Sequence, residues 1–162
     1  MKRTPIHVHF VCTGNIYRSR LAEAYLRSKN LTHIMVSSSG TQANIQHKGP
    51  ILWTTLRLLY RNNLLPYTTD KWRQITSNQL RKADVVVFIG KKNYEYCRQR
   101  FPIPEKFEVW NFPDFDDRDM NGKPLDIKRE IECVTLSENT FLMVKGKVDS
   151  LVTAYKLDSR NK

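Results

Sequence analysis

Apolar residues fall in short blocks along this chain, and the spacing within each block predicts an element. Ile6, Val8 and Phe10 alternate with His7, His9 and Val11, which predicts a largely buried strand over residues 6–11. Helical spacing follows over residues 20–30, where Leu21, Ala22, Tyr25 and Leu26 share one side. Ile34 to Val36 reads as a short second strand that gives way to the polar turn Ser37-Ser38-Ser39-Gly40-Thr41. Lys48-Gly49-Pro50 opens a second helix, with Leu52, Leu56, Leu59 and Asn63 at helical spacing and Pro66 beyond its end. Thr76 followed three residues later by Gln79 has the form of a capping box for a short helix through Lys82. The unbroken run Val85 to Ile89 predicts a strand covered on both faces. A helix over 91–101, a fourth strand over 107–110 and a polar loop over 111–123 come next. Residues 124–157 read as mostly helical, with an interruption near Ser137 to Thr140.

Strands alternating with helices imply an α/β fold: a four-stranded parallel sheet flanked by helices on both faces and joined by right-handed crossovers. The 162 residues are expected to form one domain, residues 1–162, with no repeat or linker. In such sheets ligands bind beyond the carboxyl ends of the strands. Segments that follow the first and fourth strands therefore share a rim.

Composition narrows the class. Hydrophobic residues make up 40% and charged residues 27%, a soluble globular balance, and no apolar stretch approaches a membrane span. The basic start followed by so short an apolar run does not make a signal peptide, so a cytoplasmic location is expected. Cys12, Cys97 and Cys133 have neither zinc-like spacing nor an even disulfide count, which fits a reducing compartment. His7 and His9 lack further ligands nearby, and they read as a strand face rather than a metal pair. No metal or cofactor is expected. The net charge is +11, and residues 1–69 hold nine Lys/Arg against a single acid, Glu23. That field attracts anions, and it reads as a basic, solvated surface rather than a nucleic-acid-binding one; no membrane partner is expected. The acids gather instead at Asp114, Asp116, Asp117 and Asp119.

The chemistry concentrates in Cys12-Thr13-Gly14-Asn15-Ile16-Tyr17-Arg18-Ser19, where the first strand hands over to a helix. Backbone N–H groups of such a loop point inward and form an anion cradle. Gly14 is expected to take left-handed angles, which Asn15 also tolerates. Arg18 offers a planar fork to two phosphate oxygens, and the positive field favours the Cys12 thiolate as nucleophile. Ser19 would donate toward the sulfur. A carboxyl group must protonate the leaving oxygen and later activate water. Asp114, in Phe112-Pro113-Asp114-Phe115, is the expected acid, with Asp116 and Asp117 in reserve. Ile16, Tyr17 and Phe115 are expected on the walls, against an aromatic leaving group.

The octet, followed by Leu21-Ala22-Glu23-Ala24, resembles the signature of the low-molecular-weight protein-tyrosine phosphatases. The similarity runs on through Val36 to Thr41, Ile75-Thr76, Ala83-Asp84 and Trp110 to Phe115. It covers roughly residues 6–118 and the last helix. The resemblance implies Cys12 as nucleophile, Arg18 as phosphate binder and Asp114 as general acid. It also implies that Asn15, Ser19 and Ser38 brace the loop, and that Thr13, Gly14, Ile16 and Tyr17 complete the substrate contacts. Phosphotyrosine proteins are the implied substrates, with phosphate and other oxyanions as inhibitors. Three positions depart from the pattern: Phe115 replaces a proline, Gly90 an acidic residue and Tyr17 a second cysteine. Sister activities remain as alternatives: a phosphoarginine phosphatase, which typically has threonine at Ile16, or an arsenate reductase, which needs paired cysteines. A phosphate- or nucleic-acid-binding module without turnover is the alternative of a different class.

Overall fold

The computed structural model describes residues 5–114 and 126–157. Four parallel strands run β1 Ile6–Cys12, β2 Ile34–Gly40, β3 Val85–Ile89 and β4 Phe107–Trp110, in the spatial order β2-β1-β3-β4. The helices are α1 Arg18–Ser28, α2 Trp53–Arg61, α3 Ser77–Lys82, α4 Lys91–Arg98 and α5 Ile127–Ala154. A 3-10 turn spans Leu65–Tyr67.

Strand alternation divides the core in two. Val8, Phe10 and Cys12 of β1, with Val85, Val87 and Ile89 of β3, pack under α1, α2 and α5 through Leu21, Ala24, Leu59, Val144, Val148 and Leu151. Val11, Val86 and Phe88 point the other way, toward Leu80 of α3 and Cys97 of α4. The sheet is therefore covered on both faces. The first connection carries the chain from β1 to β2 on one side, while β3 joins β1 on the other. The loop after Cys12 lies at this switch point, where strand ends leave a crevice.

Several expected boundaries shift. The polar run Ser37-Ser38-Ser39-Gly40 is not a turn: β2 continues through it in register with β1, pairing His9 with Ser37, Phe10 with Ser38 and Cys12 with Gly40. Ser38 and Ser39 are fully buried, and their hydroxyls are satisfied by other side chains, so polar residues occupy the buried end of an edge strand at no loss of hydrogen bonding. The second helix begins at Trp53 rather than near Lys48, because Gly49 sits at φ +84° and Leu52 is extended. The expected break near Ser137 is absent. Ser137 instead donates its hydroxyl to the Val134 carbonyl at 2.8 Å within a continuous helix. The capping box at Thr76 and Gln79 is formed as expected. Among the described residues no helix is long and apolar enough to cross a membrane.

Candidate active site

Cys12 ends β1 at 2% exposure, and the chain then turns through residues 13–17 into α1. The left-handed residue in this turn is Asn15, at φ +53°, and not Gly14. Asparagine tolerates that region, and here three bonds hold it there. Its amide Nδ2 donates to Ser19 Oγ at 2.9 Å and to Ser38 Oγ at 2.8 Å, and its Oδ1 accepts from the Arg73 N–H at 2.8 Å.

This arrangement decides which way the neighbouring hydroxyls point. Ser38 donates its hydrogen to Glu23 Oε2 at 2.5 Å, so it accepts from Asn15. Ser19 also accepts from Asn15, which leaves its own hydrogen for the Cys12 sulfur at 2.9 Å. The Asn15 N–H reaches the same sulfur at 3.3 Å. Two donors thus converge on one thiol, a setting suited to a negatively charged sulfur. Glu23, 1% exposed, anchors the far end of the network and pairs with Arg27 at 2.9 Å and Arg73 at 3.6 Å.

The rest of the loop is braced from three sides. Gly40 has no room for a side chain: a Cβ there would lie 2.5 Å from the Thr13 carbonyl oxygen and 2.8 Å from the Asn15 nitrogen. The fully buried Arg20 donates to the carbonyls of Asn15, Pro50, Thr69 and Lys71, tying the cradle to two outer loops. Asn93, at the start of α4, accepts from Thr41 Oγ1 at 2.7 Å and Thr13 Oγ1 at 3.4 Å. Glu23, Arg20, Arg73 and Asn93 were not singled out from the sequence. Arg20 and Glu23 follow the octet in the same helix, but their partners lie far along the chain, and the positions of Arg73 and Asn93 relative to the octet are tertiary.

Arg18 is 5% exposed and donates to the Asp114 carboxylate, bringing together residues 96 apart in sequence. Gly90 lies beside this pair at φ +104°, and a Cβ there would be 3.5 Å from Arg18 Nη1. Phe115, Asp116, Asp117 and Asp119 lie outside the described residues. Of the expected wall residues, Ile16 folds over Gly14 and is 5% exposed. Tyr17 is a correction: its ring belongs to the main core, its hydroxyl lies by Thr140 of α5, and burial pushes its pKa up to about 12. A large ring next to an apolar helix face gains more from burial than from standing at a solvent rim. Cys97 is buried on the opposite sheet face, where desolvation raises its pKa to about 12. Among the described residues no group of three or more His, Cys, Asp or Glu side chains is placed to hold a metal ion.

The family model described as low molecular weight phosphotyrosine protein phosphatase matches residues 7–156. The chain belongs to this family of phosphatases. Among solved structures it is similar to a low-molecular-weight phosphotyrosine phosphatase from Vibrio cholerae O395, at 20% identity and TM-score 0.72 over 93% of this chain and 97% of that one. It is also similar to the arginine phosphatase YwlE, at 19% identity and TM-score 0.69 over 97% and 100% of the two chains. A thioredoxin-dependent arsenate reductase from Corynebacterium glutamicum aligns at 17% identity and TM-score 0.63, covering 97% of this chain and 65% of its own. No curated protein matches the sequence. Identities this low establish the shared fold and leave the substrate to the site's own chemistry.

Proposed function

We propose that this family member is a protein-tyrosine phosphatase that hydrolyses aryl phosphate monoesters through a cysteinyl-phosphate on Cys12. The observation that carries the reading is the convergence on one sulfur of the Ser19 hydroxyl and the Asn15 N–H, with Arg18 and Asp114 paired beside it. In the first step Cys12 Sγ attacks phosphorus, the bond to the aryl oxygen breaks, and Asp114 gives that oxygen its proton. Arg18 and the N–H groups of residues 13–18 hold the other phosphate oxygens as charge shifts across them. In the second step the Asp114 carboxylate takes a proton from water, which displaces the sulfur and releases inorganic phosphate. The hydrogen bond from Ser19 eases the departure of the thiolate. Inorganic phosphate and similar oxyanions are the corresponding inhibitors.

A cysteine only 2% exposed at the base of its loop favours a phosphate carried on a long rigid arm, which tyrosine supplies and serine does not. The apolar Ile16 beside Gly14 fits an aryl group. Cys97, buried and hard to ionise, is poorly suited to the thiol exchange of an arsenate reductase. The test compares phosphotyrosine, phosphoserine and phosphoarginine peptides, with mass spectrometry for a phosphorylated Cys12 in quenched reactions. The expected outcome is a phosphotyrosine preference and a phosphocysteine adduct. Equal kcat/KM on all three peptides, or turnover without the adduct, would sink the proposal.

A further inference from the structure

His7 and His9 stand on the face of β1 opposite Cys12, and neither takes part in the cradle. Ser37 and Ser39 of β2 lie against them. Ser37 Oγ is 2.6 Å from His7 Nε2 and 2.6 Å from His9 Nδ1, and Ser39 Oγ is 2.7 Å from His9 Nε2. At the exposed end, His7 Nδ1 lies 3.3 Å from the Lys82 carbonyl oxygen. A carbonyl can only accept, so a neutral His7 carries its hydrogen on Nδ1 and leaves Nε2 as an acceptor. Ser37 fills that acceptor with its one hydrogen and must then itself accept from His9, whose hydrogen is therefore on Nδ1. His9 is fully buried, and desolvation, His7 and Arg73 together lower its pKa to about 3, so it is neutral. Its bare Nε2 takes the hydrogen of Ser39. Four bonds thus run one way, from Ser39 to the Lys82 carbonyl.

We propose that these four side chains form a proton-ordered chain, which a proton arriving on His7 reverses, moving the hydrogen of His9 from Nδ1 to Nε2. One proton enters from water and stays on His7 Nε2; at His9 the Nδ1–H bond breaks and an Nε2–H bond forms by exchange with water, one proton leaving as one arrives. The hydrogen counts of Ser37, His9 and Ser39 do not change. With Nε2 now a donor, Ser37 turns its hydrogen toward His9 Nδ1, and His9 donates from Nε2 to Ser39. The charged groups around the chain are Asp84, whose Oδ2 accepts from the His7 backbone N–H at 2.8 Å, Lys82 at the exposed end, and Arg73. Arg73 also reaches the Ser38 carbonyl at 3.4 Å. The chain ends at Ser39, next to Gly40, the residue pressed against Thr13 and Asn15.

The experiment is 15N-edited NMR of the imidazole nitrogens of the full chain across pH. It reads ring nitrogens and not turnover, so its outcome is independent of the phosphatase proposal. The expected result is that His9 stays neutral but exchanges its Nδ1–H signature for an Nε2–H one, with the midpoint at which His7 protonates. In Ser37→Ala the His9 tautomer should stop following His7, and Ser37→Thr should restore the coupling. A His9 tautomer that stays constant while His7 titrates overturns the proposal, as does an unchanged exchange in Ser37→Ala. If Ser37→Ala does not fold, the titration of the unsubstituted protein decides alone.

Discussion

Asn15 has every polar atom of its side chain engaged by Ser19, Ser38 and Arg73, whereas Asp114 is 44% exposed and leans on Arg18 from the end of β4. The two segments meet at one guanidinium, yet one is held by a buried network and the other stands open to solvent. The difference matches the work each is proposed to do. A cradle that binds phosphate gains from donors fixed in advance, because no energy is then spent orienting them during reaction. A group that must protonate one oxygen and then deprotonate another gains from access to both.

Substitutions can break this contrast. The largest effect is expected from Cys12→Ser: turnover of an aryl phosphate should fall by more than roughly 10⁴, since an alcohol is far less ionised than a thiol, while phosphate still binds the cradle. Residual activity within tenfold would remove Cys12 from the mechanism. Asp114→Ala should lower kcat by roughly 10²–10⁴ on a substrate with a poor leaving group and by much less on an activated aryl phosphate. Its urea midpoint should scarcely move. The same leaving-group dependence in Asp116→Ala or Asp117→Ala, and not in Asp114→Ala, would reassign the acid.

Asn15→Ala should show the opposite balance. It leaves the buried Ser19 and Ser38 hydroxyls without a donor, costing roughly 1–3 kcal/mol of stability for each unsatisfied buried group, and strands the part-buried Arg73 N–H. Urea denaturation reads that loss directly, and a stability change as small as that of Asp114→Ala would erase the distinction between the two segments.

The smallest effect at neutral pH concerns acid stability. His9 has a folded-state pKa of about 3 against an ordinary 6.5. Above 6.5 both folded and unfolded chains hold it neutral, and it adds no pH dependence. Between 6.5 and 3 only the unfolded chain takes the proton, so stability falls as pH drops through that window. His9→Leu should flatten this part of the acid-unfolding curve; an unaltered slope would mean that His9 is not held neutral by the fold.

The parts of this molecule legible in its sequence are those carried by neighbours in the chain. The period-two pattern over Ile6 to Val11, the apolar run Val85 to Ile89 and the Thr76–Gln79 capping box each announce a local structure that the fold retains. The octet that begins at the last residue of β1 is legible because Cys12, Asn15 and Ser19 meet at short range. Ser37 to Gly40 misleads because its hydroxyls are satisfied by His7, His9, Asn15 and Glu23 on other segments. Tyr17 misleads similarly, since a ring within a polar loop suggests a rim until α5 supplies a core beneath it. Arg73 and Asn93 matter through contacts that no local spacing encodes, as does Glu23 through its bond to Ser38.

The bonds to Asn15 bear on the order in which the protein is made. Ser38 lies 23 residues downstream of Asn15 and Arg73 58 residues downstream, so the eight-residue loop cannot be completed while only its own segment has left the ribosome. Local helices form in microseconds or less, but contacts across such separations wait for loop closure. The nascent chain therefore carries Cys12 through much of synthesis without the Ser38 hydroxyl and Arg73 N–H that later hold Asn15 in place. During refolding, helical signal should return before the cradle can hold phosphate.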